Sequence, residues 1–172
     1  MCSSDLATIN NRCGNRMTST LLTRISKCYF KTLIYLNSVS NVRIFAGVVG
    51  DAADPASASD PLNAKAGVAL WLDSAVSANW KRMHNDTAGA SVVDDTSVVA
   101  AISTAYPVEI YGIWDGRFRF VFNGVSVDIT TDIPASTTAL AYWVYIENTT
   151  AASRTMRCYY TTVRTEDFPQ NV

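Results

Sequence analysis

The residues of this 172-residue chain that could do chemistry are four tryptophans and a scatter of carboxylates. Trp80 and Trp114 each adjoin a polar residue, Asn79 and Asp115, a pairing that can stack on a sugar ring and hydrogen-bond its hydroxyls. Trp71 and Trp143 lie inside apolar runs and read as packing. The expected carbohydrate contacts are therefore Trp80, Trp114, Asn79 and Asp115. Asp51, Asp54 and Asp60 crowd a proline-containing stretch, where converging oxygens could ligate Ca2+. That stretch lacks the interleaved pattern of a dedicated calcium loop, and a solvated acidic turn is the plain alternative.

Catalysis finds little support. Glu109, Glu147 and Glu166 are the only glutamates, and none has a second carboxylate two or four residues away on the same strand face. Retaining glycoside cleavage needs two such groups a few ångströms apart. His84 is the sole histidine; Asp86 is near it in sequence, but no nucleophile elbow accompanies the pair. Cys2, Cys13, Cys28 and Cys158 lack the C-x-x-C spacing of a zinc site. Cys28 and Cys158 fit buried thiols in strand patterns. No catalytic residue is assigned, and the expectation is a protein that is not an enzyme. The sequons at Asn85 and Asn148 would matter only in a secretory pathway, and no apolar run of signal-peptide length opens the chain.

The elements that position these residues are strands. Arg117-Phe-Arg-Phe-Val-Phe-Asn-Gly-Val-Ser-Val-Asp-Ile129 alternates strictly on both sides of Asn123-Gly124, a pair that accepts the positive φ angles of a two-residue turn. Folding about it puts Phe122 opposite Val125, Phe120 opposite Val127 and Phe118 opposite Ile129, with the apolar row on one face. Asp115-Gly116 signals another two-residue hairpin. Strand patterns run from Lys27 to Leu36, Val42 to Val49, Ala66 to Asp73, Asn79 to Asn85, Ser91 to Val99, Tyr106 to Trp114, Ala139 to Asn148 and Arg154 to Thr165. About ten short strands and no helix pattern imply an all-β antiparallel sandwich, because a single open sheet would leave one apolar face uncovered.

Composition and charge set the organisation. Apolar residues make up 48% of the chain, enough for one real core. Residues 1–26 are polar and without periodicity, a leader that is poorly structured or docked on a partner, and 27–169 form the domain. Met17 is a second candidate start. A net charge of −1 argues against general nucleic-acid binding. The charge is uneven, however: residues 1–45 carry Arg12, Arg16, Arg24, Lys27, Lys31 and Arg43 against Asp5 alone, so a nucleic-acid contact is expected only through this basic leader. Nothing reaches membrane-spanning length.

Residues 27–169 resemble the concanavalin A-like lectin/glucanase (laminin G-like) jelly-roll domains of bacteriophage virion and tail-associated proteins. The resemblance is carried by the order of Arg43-Ile-Phe-Ala-Gly-Val-Val49, the Gly67 strand, Asn79-Trp80 and Tyr106-Pro-Val-Glu-Ile110. Arg117-Phe-Arg-Phe-Val-Phe-Asn-Gly124, Asp128-Ile-Thr-Thr-Asp-Ile-Pro134 and the Ile146-Glu-Asn148 to Tyr159 ending follow. In relatives an acidic residue often precedes the closing aromatic, whereas here Cys158 precedes Tyr159. The resemblance implies a non-enzymatic virion structural protein: a jelly-roll unit of capsid decoration, shell, tail or fibre, made in the host cytoplasm, associating with itself and with other virion proteins. The alternative it implies is a carbohydrate-binding, lectin-like module that recognises a host receptor glycan.

Overall fold

The computed structural model describes residues 2–4, 12–17, 22–50, 55 and 59–165, and all their regular structure is β. The strands are β1 (Cys2–Ser4), β2 (Arg12–Arg16), β3 (Cys28–Leu36), β4 (Val42–Gly50), β5 (Gly67–Asp73) and β6 (Asn79–Asn85), followed by β7 (Val92–Val99), β8 (Ala105–Ile113), β9 (Arg117–Phe122), β10 (Val125–Ile129), β11 (Leu140–Asn148) and β12 (Arg154–Thr165). They pair antiparallel into sheet I, order β1-β12-β3-β8-β9-β10, and sheet II, order β2-β11-β4-β5-β6-β7. The expected antiparallel sandwich is present. Two strands, β1 and β2, come from the polar N-terminal segment and form one edge of each sheet.

The β9–β10 hairpin has the register its sequence dictates, with Phe122, Phe120 and Phe118 opposite Val125, Val127 and Ile129. Asn123 and Gly124 both take positive φ, 49° and 80°, as a primed turn requires. The three phenylalanines are buried against the other sheet. The link between β8 and β9 differs from expectation: Trp114, Asp115 and Gly116 form a three-residue loop, closed by the Gly116 amide donating to Ile113 with Gly116 at φ 102°. An extra residue before a left-handed glycine makes this a bulged loop and not a two-residue turn.

The inter-sheet core takes alternate residues of each strand: Phe30, Ile34 and Leu36 from β3, Ile44, Ala46 and Val48 from β4, and Val68, Leu70 and Leu72 from β5. Trp80 belongs here. It is fully buried, with its ring centroid 5.2 Å from that of Tyr106 and 5.9 Å from that of Phe122, so it makes no surface contact with a glycan. The reason lies in strand geometry: neighbours point to opposite faces, so an outward Asn79 forces Trp80 inward. Trp80→Ala should therefore cost about 3–5 kcal/mol of stability in chemical denaturation. Trp114→Ala, which removes a side chain that is 60% exposed, should change stability by no more than about 0.5 kcal/mol.

Candidate functional site

Sheet II buries a second set of side chains on its outer face. Register places them in cross-strand rows. One row reads Arg12, Glu147, Arg43 and Asp73 across β2, β11, β4 and β5, an alternation of cation and anion. The next reads Gly14, Tyr145, Phe45, Trp71 and Lys81. The third reads Arg16, Trp143, Gly47, Ala69 and Met83. The sheet thus presents a charge ladder beside an aromatic row. Gly47 keeps the floor low, since a Cβ there would meet the Val68 carbonyl at 2.4 Å.

The ladder is closed by hydrogen bonds. Arg12 donates through Nε to Glu147 at 2.5 Å; Arg43 donates through Nη1 to Glu147 at 3.1 Å and through Nε to Asp73 at 2.9 Å. Glu147 and Asp73 are 1% and 3% exposed, and two carboxylates buried this deeply require cations beside them. Burial works against the Arg43 cation, but the hydrogen bonds it donates to Asp73 and Glu147 outweigh that and hold its pKa above the ordinary value. Arg12 also lies 4.5 Å over the Tyr145 ring, Arg16 lies 5.0 Å over Trp143, and Tyr145 stacks on Phe45 at 5.4 Å with a 6° interplanar angle. Arg12 Nη1 donates to the Pro55 carbonyl at 2.6 Å, and Leu62 packs against Phe45, Trp71 and Met83. Two enclosed donors on this face, Arg12 Nη2 and Trp143 Nε1, have no hydrogen-bond partner among the described residues. Unsatisfied buried donors are costly, and an ordered water, an ion or a ligand can supply the acceptor.

At the far end of the aromatic row Lys81 meets Asp95 at 2.6 Å. Hydrogen bonds from Lys81, the Ser97 amide and Asn79 pull the Asp95 carboxyl down to about 2. Asn79, expected at a sugar site, spends its amide on Asp95 at 3.1 and 3.2 Å. Trp114 and Asp115 sit in the β8–β9 loop of sheet I, where Asp115 pairs with Arg117 at 3.0 Å. The four expected sugar contacts therefore do not converge: Trp80 is in the core, Asn79 is on sheet II, and the other two are on sheet I.

Asp51 and Asp54 lie outside the described residues, and Asp60 accepts hydrogen bonds from the amide and hydroxyl of Ser91 at 3.0 and 2.7 Å. Among the described residues no group of three or more His, Cys, Asp and Glu side chains is placed to hold a metal ion. Asn85 and Asn148 are buried, with their amides donating to backbone carbonyls, so neither sequon offers a glycosylation site. Cys28 is a buried free thiol whose pKa burial pushes up to about 11; Cys158 is also free, and Cys13 is disulfide-bonded.

His84 is buried on the core-facing side of β6. Its Nδ1 lies 3.1 Å from the Asp132 carbonyl and its Nε2 3.7 Å from Asp94. Asp86 instead accepts from the Ala88 amide, and among the described residues no hydrogen bond joins it to His84. Tyr145 projects from the opposite face of the same sheet. Glu109 lies on sheet I, bound by Lys31 at 2.8 Å and by the hydroxyls of Tyr111 and Tyr29. It is thus a whole sandwich away from Glu147. The glutamate pair of a retaining glycosidase is not assembled among the described residues.

The arginine–tyrosine face is what sequence reasoning missed. Its signal was Glu147 at the end of an otherwise apolar strand, a carboxylate that could be buried only beside arginines. Arg12 came from a segment with no strand pattern, and nothing local announced it.

By sequence, no family model and no curated protein matches the chain. By structure it is similar to the alginate lyase AlyC3 (TM-score 0.66, 13% identity, 95% of this chain and 74% of that one). It is similar to an endo-β-1,4-glucuronan lyase from the fungus Trichoderma reesei (TM-score 0.63, 10% identity, 95% and 79%). It is also similar to the family 7 alginate lyase A1-II′, in a form with one His→Asn and one Tyr→Phe change in complex with substrate (TM-score 0.59, 14% identity, 94% and 72%). These likenesses carry the concanavalin A-like jelly-roll fold. They correct the expectation of a non-enzymatic virion structural protein, and of a lectin-like module as its alternative: the neighbours are alginate and glucuronan lyases, and nothing in the comparisons links the chain to phage particles. The sequence cues could not separate the two, because strand order and turn grammar belong to the sandwich, whatever surface it carries.

Proposed function

We propose that the chain is a polysaccharide lyase that cleaves a uronic-acid-containing glycan by β-elimination on the outer face of sheet II. The observation that carries this reading is one tyrosine, Tyr145, set among Arg12, Arg43 and an enclosed indole donor, within a fold similar to that of alginate and glucuronan lyases.

The chemistry asks for little more. A uronate carboxylate makes the hydrogen on its α-carbon, C5, weakly acidic, and a cation held against the carboxylate strengthens that effect. Loss of the proton forms a C4=C5 double bond and expels the glycosidic oxygen at C4, which takes up a proton; no water is added. Arg12, whose Nη2 has no hydrogen-bond partner among the described residues, would bind the carboxylate. Tyr145 is placed to carry the proton. The aromatic row through Phe45 and Trp71 supplies the flat surface along which sugar rings lie. Tyr145 is 3% exposed, so the polymer would meet it only after neighbouring side chains move aside.

Hydrolysis suits this face poorly. Arg43 grips both Glu147 and Asp73, so both carboxylates are committed to a cation of the protein. The histidine-plus-tyrosine pair changed in the A1-II′ variant is not reproduced by His84 and Tyr145, which lie on opposite sides of the sheet. Tyrosine and arginine must serve without it.

The test is incubation of the protein with alginate, glucuronan and polygalacturonate, following the ultraviolet absorbance of the unsaturated uronate. Growth of that absorbance on at least one polymer is expected. A folded protein that yields none on any of them would overturn the reading.

A further inference from the structure

We infer that the β8–β9 loop carries a second, accessory subsite for the carboxylate of an acidic sugar, built from Arg24, Arg117 and Trp114. This rests on the reading of the substrate as a uronate polymer and places part of its recognition on sheet I, away from Tyr145.

Arg24 is the starting point. It lies in the turn before β3, with its Cα packed beneath Gly112 and its Nη1 reaching to 3.6 Å from where a Gly116 side chain would begin. Its guanidinium makes no ion pair and no side-chain hydrogen bond among the described residues, and its Nε is enclosed without a partner. A half-buried arginine in that state is unusual, because a desolvated cation needs an anion or an acceptor. Gly116 at φ 102° leaves the approach to Nη1 open, and any side chain there would both strain the loop and obstruct the guanidinium.

Arg117 repeats the pattern. It holds Asp115 at 3.0 Å and Asp128 at 2.7 Å through its terminal nitrogens, yet its Nε is also enclosed and unpartnered. Arg119 shares Asp128 at 2.7 Å. Arg117 and Arg119 thus take up Asp115 and Asp128, and Arg24 is left with no carboxylate partner among the described residues. Two residues before Gly116, in the loop that Arg24 Nη1 reaches, stands Trp114, the most exposed large aromatic among the described residues at 60%. A guanidinium without an anion and an exposed indole at one loop match one ligand chemistry: a sugar that offers a carboxylate to the first and a C–H face to the second. A neutral glycan would use only the indole, and inorganic anions only the arginine.

The experiment is equilibrium binding of short oligouronates to the Tyr145→Phe chain, in which turnover does not deplete them, read by the indole N–H resonance of Trp114 and by tryptophan fluorescence. Arg24→Gln and Trp114→Ala, each made on that chain, should weaken binding about tenfold. A neutral manno-oligosaccharide should lose far less on Arg24→Gln. Oligouronate affinity unchanged within about twofold in both variants would overturn the subsite. So would equal binding of the neutral sugar. If the parent protein releases unsaturated product while Arg24→Gln binds normally, the subsite falls and the lyase stands. If binding depends on Arg24 and Trp114 but no polymer yields product, the subsite stands and the lyase falls.

Discussion

The Tyr145→Phe chain is expected to fold as the parent does and to release unsaturated uronates at least about 10²-fold more slowly, the scale on which a positioned proton-transfer group contributes. The ring is what packs: it stacks on Phe45 at 5.4 Å and lies under the Arg12 guanidinium at 4.5 Å, and phenylalanine retains both contacts. Only the hydroxyl is lost, at a cost of about 1 kcal/mol. Initial rates at saturating polymer, with denaturation midpoints alongside, separate the two effects. A rate within about tenfold of the parent would show that the proton moves through another group, and the assignment of Tyr145 would be wrong.

Arg43→Met is expected to cost about 3–5 kcal/mol of stability, the range found when one partner is removed from a buried ion pair. Arg43 is shared between Glu147 and Asp73, whose side chains are 1% and 3% exposed. Glu147 keeps Arg12, but among the described residues Asp73 keeps only the Ala75 amide at 3.0 Å on its other oxygen. A desolvated carboxylate is left with no cation. The double variant Arg43→Met with Asp73→Leu should recover a large part of the loss, because it removes the stranded charge along with its partner. Urea denaturation of the two chains checks this. A loss below about 1 kcal/mol for the single variant would mean that the ladder contributes no more than an exposed pair does.

The two variants probe different properties of one face, and the fold explains why that face had to be discovered in three dimensions. The inner layer was legible: Phe118, Phe120 and Phe122 alternate without interruption about Asn123-Gly124, and local turn chemistry fixes their partners. β3 to β12 begin and end within a residue or two of where alternation and turn residues put them. Sheet II is less legible because β4, β5 and β11 are buried on both sides, so their sequences are nearly continuous apolar runs that do not reveal which residue faces which way. Trp80 shows the opposite failure. Its polar neighbour was taken as a sign of exposure, when in a strand it is the sign of a residue pointing to the other face.

β1 and β2 could not be read at all. Arg12-Cys-Gly-Asn-Arg16 has no apolar alternation, since its strand character is imposed by pairing with the edge of β11. With β2 unseen, the meeting of Arg12, Glu147 and Arg43 from three distant parts of the chain was unseen too. The contrast with Asp51, Asp54 and Asp60 is instructive. Residues close in sequence drew attention as a site, while the face that assembles donors around a tyrosine draws on positions up to 135 residues apart.

The most direct test is the mass of the products formed in heavy-oxygen water. Elimination adds no water, so each cut must yield an unsaturated non-reducing end with no heavy oxygen introduced by the cleavage itself, and Tyr145→Phe must suppress it. Products that are saturated, heavier by one water and labelled by solvent oxygen at every cut would show hydrolysis and contradict the account.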